Sequence, residues 1–344
     1  MRSNSDRTRS QIFICIDRLE GKRENHSMLC IEAKSIFRSY GNVTAVDGID
    51  LSVESGKIFG FLGPNGAGKT TTMKLLTTLI PPSSGSITIL GIDASKHPLD
   101  VRKKIGVVLQ QPSYEPTLTV EKSLEKYGMM WDVDTNTRRK RVEDLLTAFD
   151  LQDIRKKKND DISIGQRRRV QVAREFMHDM DLLFLDEPTA GLDPSARRGL
   201  LDYIKGKVRD GLTIFFTTHI LEEAEYLCDE IAIINHGKII AVDTPDELKN
   251  KFGREKTIKI RIGETQQDLL GILQGVGNYD ILHDEGTVIT IHSADSEQVL
   301  VKILQVLQSN NITIEDLSVV PTSLEEIFLT VVKNSNESNI SSGK

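Results

Sequence analysis

The sequence predicts an α/β fold built on a parallel sheet, followed by a smaller α+β unit, and three observations carry that expectation. First, the apolar run 58–62 (Ile-Phe-Gly-Phe-Leu) ends in a glycine-rich turn and continues into 71–76, which has good helix formers and nothing to stop a helix. Second, the stretches 182–185 (Leu-Leu-Phe-Leu) and 213–216 (Thr-Ile-Phe-Phe) are almost continuously apolar, as strands of a sheet covered on both faces should be. Third, after Leu248 the texture changes to clean alternation, as in 257–262 and 287–291.

Taken in order, residues 1–28 are polar, rich in Arg, Ser and Asn, and aperiodic, which predicts a flexible N-terminal extension. Residues 29–249 read as one large domain. Within it, 31–62 alternates and predicts strands, and the Ser-Gly-Ser turn at 84–86 leads into a short strand at 87–89. From about residue 99 to 161 the pattern turns helical, defining a helical insert of roughly residues 100–165. Its clearest stripe is Val142, Leu145, Leu146 and Phe149, at i, i+3, i+4 and i+7. Residues 231–234 and 238–241 predict a β pair turning at Asn235-His236-Gly237. Residues 250–333 form the smaller domain, with helices expected around 266–274 and 296–308, a strand over 312–320 and a helix from Thr322. There Thr322/Glu325 and Ser323/Glu326 both have capping-box spacing. The polar tail 334–344 is expected to be disordered.

The chain has 344 residues, 38% apolar and 27% charged, and a net charge of −6, which describes an ordinary soluble protein long enough for about two domains. Such an acidic balance argues against nucleic acid as a partner. The local basic runs 155–158 and 167–169 are expected to be solvated faces. Cys15, Cys30 and Cys228 are odd in number and widely spaced, so they imply neither a disulfide framework nor a metal site, and they suit a reducing cytoplasm. No apolar run approaches the ~18 residues that a membrane-spanning helix needs, so any membrane role is expected to come through a partner.

The chemistry begins at 63–70, Gly-Pro-Asn-Gly-Ala-Gly-Lys-Thr, a complete P-loop. Gly63, Gly66 and Gly68 let the backbone turn tightly, so that the N–H groups of the turn, with Pro64, Asn65 and Ala67 between the glycines, approach phosphate oxygens. Lys69 is placed to reach the β- and γ-phosphates and the Thr70 hydroxyl to hold Mg²⁺, while Thr71 opens the helix whose positive dipole end faces the anion. A nucleoside triphosphate with its metal is the expected ligand. At 186–187, four apolar residues give way to Asp186 and Glu187. A strand-end Asp186 can hold the metal beside Thr70, and Glu187 has the chemistry to orient or deprotonate an attacking water.

The run 181–194, Asp-Leu-Leu-Phe-Leu-Asp-Glu-Pro-Thr-Ala-Gly-Leu-Asp-Pro, resembles the Walker B motif and D-loop of the ATP-binding cassette (ABC) family. Further landmarks follow the family's order over about residues 30–250. Gln110 resembles the Q-loop glutamine, Ser163-Ile164-Gly165-Gln166 the signature loop, His219 the switch histidine, and Tyr40 the aromatic that stacks on adenine. The resemblance implies ATP and Mg²⁺ as cofactors, with Gln110 a further metal ligand and His219 reaching the γ-phosphate. It also implies that Ser163, Gly165, Gln166 and Asp193 face nucleotide held by a second copy, in a homodimer or with a paired cassette subunit; Asp193 could equally be a helix cap. The signature departs from the family's Leu-Ser-Gly-Gly-Gln by carrying Ile164 at the first glycine, and closure is expected to tolerate it because the side chain points away from the phosphate.

The implied function is an ATP-hydrolysing subunit that powers a membrane exporter through nucleotide-driven dimer closure. It would dock from the cytoplasm, peripherally, on a separate transmembrane permease. The turn at 191–194, the Arg triplet and the ending 322–329 (Thr-Ser-Leu-Glu-Glu-Ile-Phe-Leu) resemble the daunorubicin-resistance branch. Rival readings are an importer ATPase, a DNA-repair or chromosome-maintenance ATPase, and a translation-associated cassette protein. The last two are disfavoured because Lys69 and Ser163 are too close for an intervening coiled coil and the chain carries one P-loop.

Overall fold

The structure, a computed structural model, describes residues 28–111, 113–252, 256–263, 273, 280–284, 288–293, 296–321, 323–329 and 331–332. The expected N-terminal extension apart from Met28, the tail 334–344, Thr322, and all but Leu273 of the helix expected at 266–274 lie outside the described residues.

The central sheet has six strands in the order β10-β9-β3-β8-β7-β6: β3 (Ile58–Leu62), β6 (Ile105–Val108), β7 (Leu182–Asp186), β8 (Thr213–Thr218), β9 (Glu230–Asn235) and β10 (Lys238–Asp243). β9, β3, β8, β7 and β6 pair in parallel, and β10 closes one edge as the antiparallel arm of the expected hairpin through 235–237. Every residue of β3, β7 and β8 is buried. Their apolar residues divide between two cores, which is why the strands read as continuous rather than alternating. Phe59, Phe61, Phe184 and Phe215 face one core, with Phe215 within 5.4–5.8 Å of the other three rings. Ile58, Leu62, Leu183, Leu185, Ile214 and Phe216 face the other.

A second, antiparallel sheet of order β2-β1-β4-β5 lies on the first of these cores: β1 (Leu29–Tyr40), β2 (Val43–Glu54), β4 (Ser84–Ile89) and β5 (Ile92–Asp93). The strands expected over 31–62 and 87–89 are therefore present.

One expectation is corrected within 99–161. Ile105–Val108 is not helical but an edge strand paired in parallel with β7. Four residues are too few to show a period beside helical neighbours. The helical insert accordingly begins after 108, with α3 (Val120–Met130), α4 (Thr135–Ala148) and then α5 (Ile164–Glu175). The stripe Val142, Leu145, Leu146 and Phe149 is buried as expected, and Asp134 caps α4 by accepting from the Asn136 and Thr137 N–H groups at 3.0 Å.

α5 ends on Glu175, only 2% exposed, which accepts from the Tyr127 hydroxyl at 2.8 and 2.9 Å and from the Val107 N–H at 3.3 Å. Burial pushes its pKa up from 4.5 to about 6 against the pull of Arg174. The folded protein thus keeps a proton here that the unfolded chain has already lost, so stability is full below pH 4.5 and falls as pH rises through about 6. Glu175→Gln is expected to remove that fall, about 1 kcal/mol of it between pH 5 and pH 7, in denaturant unfolding compared at those two values. An unchanged slope would place the proton elsewhere.

The third sheet, β12-β13-β11-β14, is wholly antiparallel: β11 (Lys256–Ile262), β12 (Asp280–Asp284), β13 (Val288–Ser293) and β14 (Ile314–Pro321). β12 has no counterpart in the sequence reading. Ile258, Ile260, Ile289 and Ile291 pack with Val299, Ile303 and Leu307 of the helix Ser296–Ser309 in a separate core. The closing helical stretch 324–329 begins at Ser323, where the Ser323/Glu326 capping box forms at 3.0 and 3.2 Å. Its Leu324 and Ile327, with Val331, join the apolar cluster of the larger unit, alongside Leu227, Ile233 and Leu248. Leu324, Ile327 and Val331 therefore pack against the larger unit. Among the described residues, no helix is long and apolar enough to cross a membrane.

Candidate nucleotide site

The turn 63–68 joins the buried end of β3 to α1 (Lys69–Leu76). Two of its glycines are sterically required. A Cβ on Gly63 would sit 2.4 Å from the Ile234 carbonyl oxygen, and one on Gly68, at φ +109°, would sit 2.4 Å from that of Ala45. Gly66 adopts φ +81° with open space around it, as a backbone approached by a ligand should. Lys69 is 6% exposed, and its Nζ donates to the carbonyls of Gly63 at 2.7 Å and Pro64 at 3.2 Å. Burial lowers its pKa, while Glu187 and Asp186 oppose that shift from a distance. Among the described residues Lys69 makes no ion pair. A buried cation held only by carbonyl dipoles, beside open backbone and a helix N-terminus, fits a polyphosphate.

Across from the turn, the Thr70 hydroxyl donates to Asp186 Oδ2 at 3.0 Å and the Thr217 hydroxyl to Asp186 Oδ1 at 2.5 Å. The Thr70 hydroxyl and the Asp186 carboxylate are hard oxygen donors on facing elements, a set suited to Mg²⁺. Glu187 follows β7 with φ +47°, a left-handed conformation unusual for a side-chain-bearing residue, and is 7% exposed. Its Oε1 lies 3.2 Å from His219 Nδ1, and its Oε2 accepts from Gln110 Nε2 at 3.1 Å. Its N–H donates to the Thr217 carbonyl at 3.0 Å. The structure thus gathers Lys69, Thr70, Gln110, Asp186, Glu187 and His219 from four segments into one linked cluster.

The remaining candidates lie outside that cluster in a single chain. Tyr40 is 46% exposed at the end of β1, with the Arg38 guanidinium 4.9 Å from its ring centroid. Ser163 and Gln166 form a reciprocal capping box at the start of α5, 3.2 and 3.0 Å. Gly165 is sterically required, because a Cβ there would lie 2.8 Å from the Gly191 carbonyl oxygen. Ile164 is 67% exposed in the first turn of α5. Asp193 is a helix cap, accepting from the Ala196 N–H at 2.9 Å, and that bond holds its carboxyl below the usual range.

The Arg167–Arg169 run is not the solvated face that its charge suggested. Arg167 donates to the Tyr114 hydroxyl at 2.7 Å, Arg169 to the Phe149 carbonyl at 2.8 Å, and Arg168 is 6% exposed. A run of like charges hides which member faces the core. The usable signal was helical spacing, because Arg168 lies one turn before Val172 and two before Glu175, both buried. Sequence reading also missed Thr217 and Glu223. Glu223 is 2% exposed, accepts from the Thr189 and Thr218 hydroxyls at 3.0 and 2.8 Å, and lies 3.3 Å from Arg197. It ties the segment before His219 to the turn after Glu187.

Comparison with known proteins agrees with this geometry. Residues 46–190 match the ABC transporter family, and residues 244–332 match the C-terminal domain of DrrA1-3-like ATP-binding proteins. The linearmycin resistance ATP-binding protein LnrL of Bacillus subtilis is 33% identical over 303 residues, which cover 88% of this chain and 97% of that protein. The daunorubicin/doxorubicin resistance ATP-binding protein DrrA of Streptomyces peucetius is 35% identical over 306 residues, 88% and 92% of the two chains. Among solved structures, the ATP-binding subunit of an ABC transporter superposes with TM-score 0.61 at 29% identity, over 65% of this chain and 93% of that one. A dimeric ATP-binding cassette in a post-hydrolysis state with ADP and phosphate superposes with TM-score 0.58 at 24% identity, over 62% and 98%.

Proposed function

The chain belongs to the ATP-binding cassette (ABC) transporter family, whose ATP-binding, ATP-hydrolysing subunits drive transport; from that premise we propose that it powers a drug-resistance exporter. One observation carries the exporter reading: the match of 244–332 to the DrrA1-3-like C-terminal domain, beyond the cassette itself. The permease is a separate membrane protein, and the ATPase docks on its inner face.

In this reading two copies, or this chain and a paired cassette subunit, close over two ATP molecules. The backbone of 63–68 and Lys69 hold the β- and γ-phosphates, and Tyr40 stacks on the base. Thr70, Asp186 and Gln110 would hold Mg²⁺, which when bound would neutralise phosphate charge. Glu187 takes the proton of an attacking water while its strained backbone and its contacts with His219 and Gln110 keep the carboxylate aimed. Ser163, Gly165, Gln166 and Asp193 belong to the face presented to the partner's nucleotide. ATP drives closure only so far as it binds the closed pair better than the open one, and γ-phosphate contacts supply that difference.

The test is transport. Inverted vesicles carrying this chain and its permease are expected to accumulate daunorubicin on ATP addition, and vesicles with the permease alone are not. ATP-dependent uptake of a solute into the cell, or a chain that never sediments with membranes, would overturn the exporter reading.

A further inference from the structure

Arg168 is a fully occupied buried guanidinium. Its Nε donates to the Pro188 carbonyl at 3.1 Å, Nη1 to the Leu109 carbonyl at 2.7 Å and to Gln171 Oε1 at 2.8 Å, and Nη2 to the carbonyls of Asp186 at 2.5 Å and Glu187 at 2.9 Å. A guanidinium has five N–H groups, and all five are accounted for. Four of the five acceptors are backbone carbonyls, three of them consecutive: 186, 187 and 188. Those three converge because Glu187 sits at φ +47°, which curls the chain as it leaves β7. The fourth, Leu109, immediately precedes Gln110. Gln171, one turn along α5, reaches the same loop, its Nε2 lying 3.3 Å from the carbonyls of Leu109 and Gln111.

Burying this cation is costly, since desolvation lowers its pKa to about 10 and no carboxylate lies within ion-pair distance among the described residues. A side chain placed only to fill space would not need a charge there, and apolar residues of similar volume are generally no less stable at such sites. What the guanidinium uniquely supplies is a planar fork that joins two backbone segments at fixed separation.

We propose that Arg168 is a positioning residue for hydrolysis: its guanidinium locks the left-handed turn carrying Glu187 to the loop carrying Gln110, so that the carboxylate is held between Gln110 and His219. It acts through Glu187 and touches no substrate. Because Arg168 lies on the helix that begins at Ser163, the same clamp ties the aim of the carboxylate to the placement of the signature loop. This inference rests on the reading of Glu187 as the base.

The experiment compares Arg168→Met, which keeps the apolar stem, and Arg168→Lys, which keeps a cation without the fork, alone and combined with Glu187→Gln. Expected for Arg168→Met is a kcat at least tenfold lower with KM and ATP affinity within threefold of the parent, and for Arg168→Lys a partial recovery. In single-turnover assays on the Glu187→Gln background, Arg168→Met is expected to cause no further loss beyond twofold. An equal fractional loss in both backgrounds, a KM or binding affinity that worsens in step with kcat, or an unchanged kcat in Arg168→Met would each overturn the clamp. Near-parental turnover in Glu187→Gln alone would instead overturn the reading of Glu187, whatever Arg168 does. Thermal unfolding and ATP binding of each variant show that it has folded.

Discussion

Glu187→Gln is expected to lower steady-state ATP turnover by about 10²–10⁴-fold, the range of a general base, while leaving ATP affinity within a few-fold. The local geometry explains why binding should survive. Glu187 meets Gln110 and His219, at 3.1 and 3.2 Å, whereas Lys69 and Thr70, on the proposed phosphate and metal side, bond to the Gly63 and Pro64 carbonyls and to Asp186. An amide in place of the carboxylate keeps one acceptor oxygen, and Gln110 can present either end of its own amide to the new side chain. The backbone at φ +47° is equally strained for Glu and Gln, so the substitution adds no conformational cost. With hydrolysis blocked and binding intact, the closed pair should accumulate. Size-exclusion chromatography with light scattering is expected to show a dimer in ATP and Mg²⁺ and a monomer in ADP. A variant that binds ATP and stays monomeric would be incompatible with the closure mechanism; one that hydrolyses normally would remove Glu187 from the role of base.

The cluster around Glu187 was largely legible in the sequence, because each member sits in a short, ordered motif whose spacing suits phosphate chemistry. Gly63 and Gly68 have no substitutes where a Cβ would strike a carbonyl at 2.4 Å, and Asp186 and Glu187 stand where a buried strand ends. The parallel sheet was legible for a similar reason: a strand with both faces covered has no polar positions to interrupt it. Strand β6 was not, because its four residues adjoin long helical periods. β12 was not, because Asp280–Asp284 carries too few apolar residues to alternate. Arg168 was hidden for another reason. Three consecutive arginines look alike in sequence; helical spacing to Val172 and Glu175 marks the middle one as inward-facing, but only the packing of α5 shows that it meets the turn after β7. Motifs that bind a ligand are constrained locally and can be read locally. Residues that hold those motifs to one another are constrained by tertiary distance, and sequence spacing along one element carries little of it.

Lys69→Met separates those two kinds of constraint and is the second large effect expected. Lys69 is buried to 6% exposure, its ammonium rests on two carbonyl oxygens, and burial lowers its pKa. The folded protein therefore carries a desolvated charge whose compensation comes only from dipoles and from more distant carboxylates. Methionine has a similar length and no charge, so in the absence of nucleotide the variant is expected to unfold at the same temperature as the parent or a few degrees above it. ATP should then reveal the deficit. A ligand present at about 100 times its Kd stabilises the folded state by about 2.7 kcal/mol, and that increment is expected to vanish in Lys69→Met at the ATP concentration that saturates the parent. The measurement is a pair of thermal melts for each protein, with and without ATP and Mg²⁺. A variant that loses stability without nucleotide would show that Lys69 serves the fold through its bonds to Gly63 and Pro64. A variant that keeps the full ATP-dependent shift would show that the phosphates are held by the backbone of the turn alone, and that the lysine contributes to hydrolysis rather than to binding.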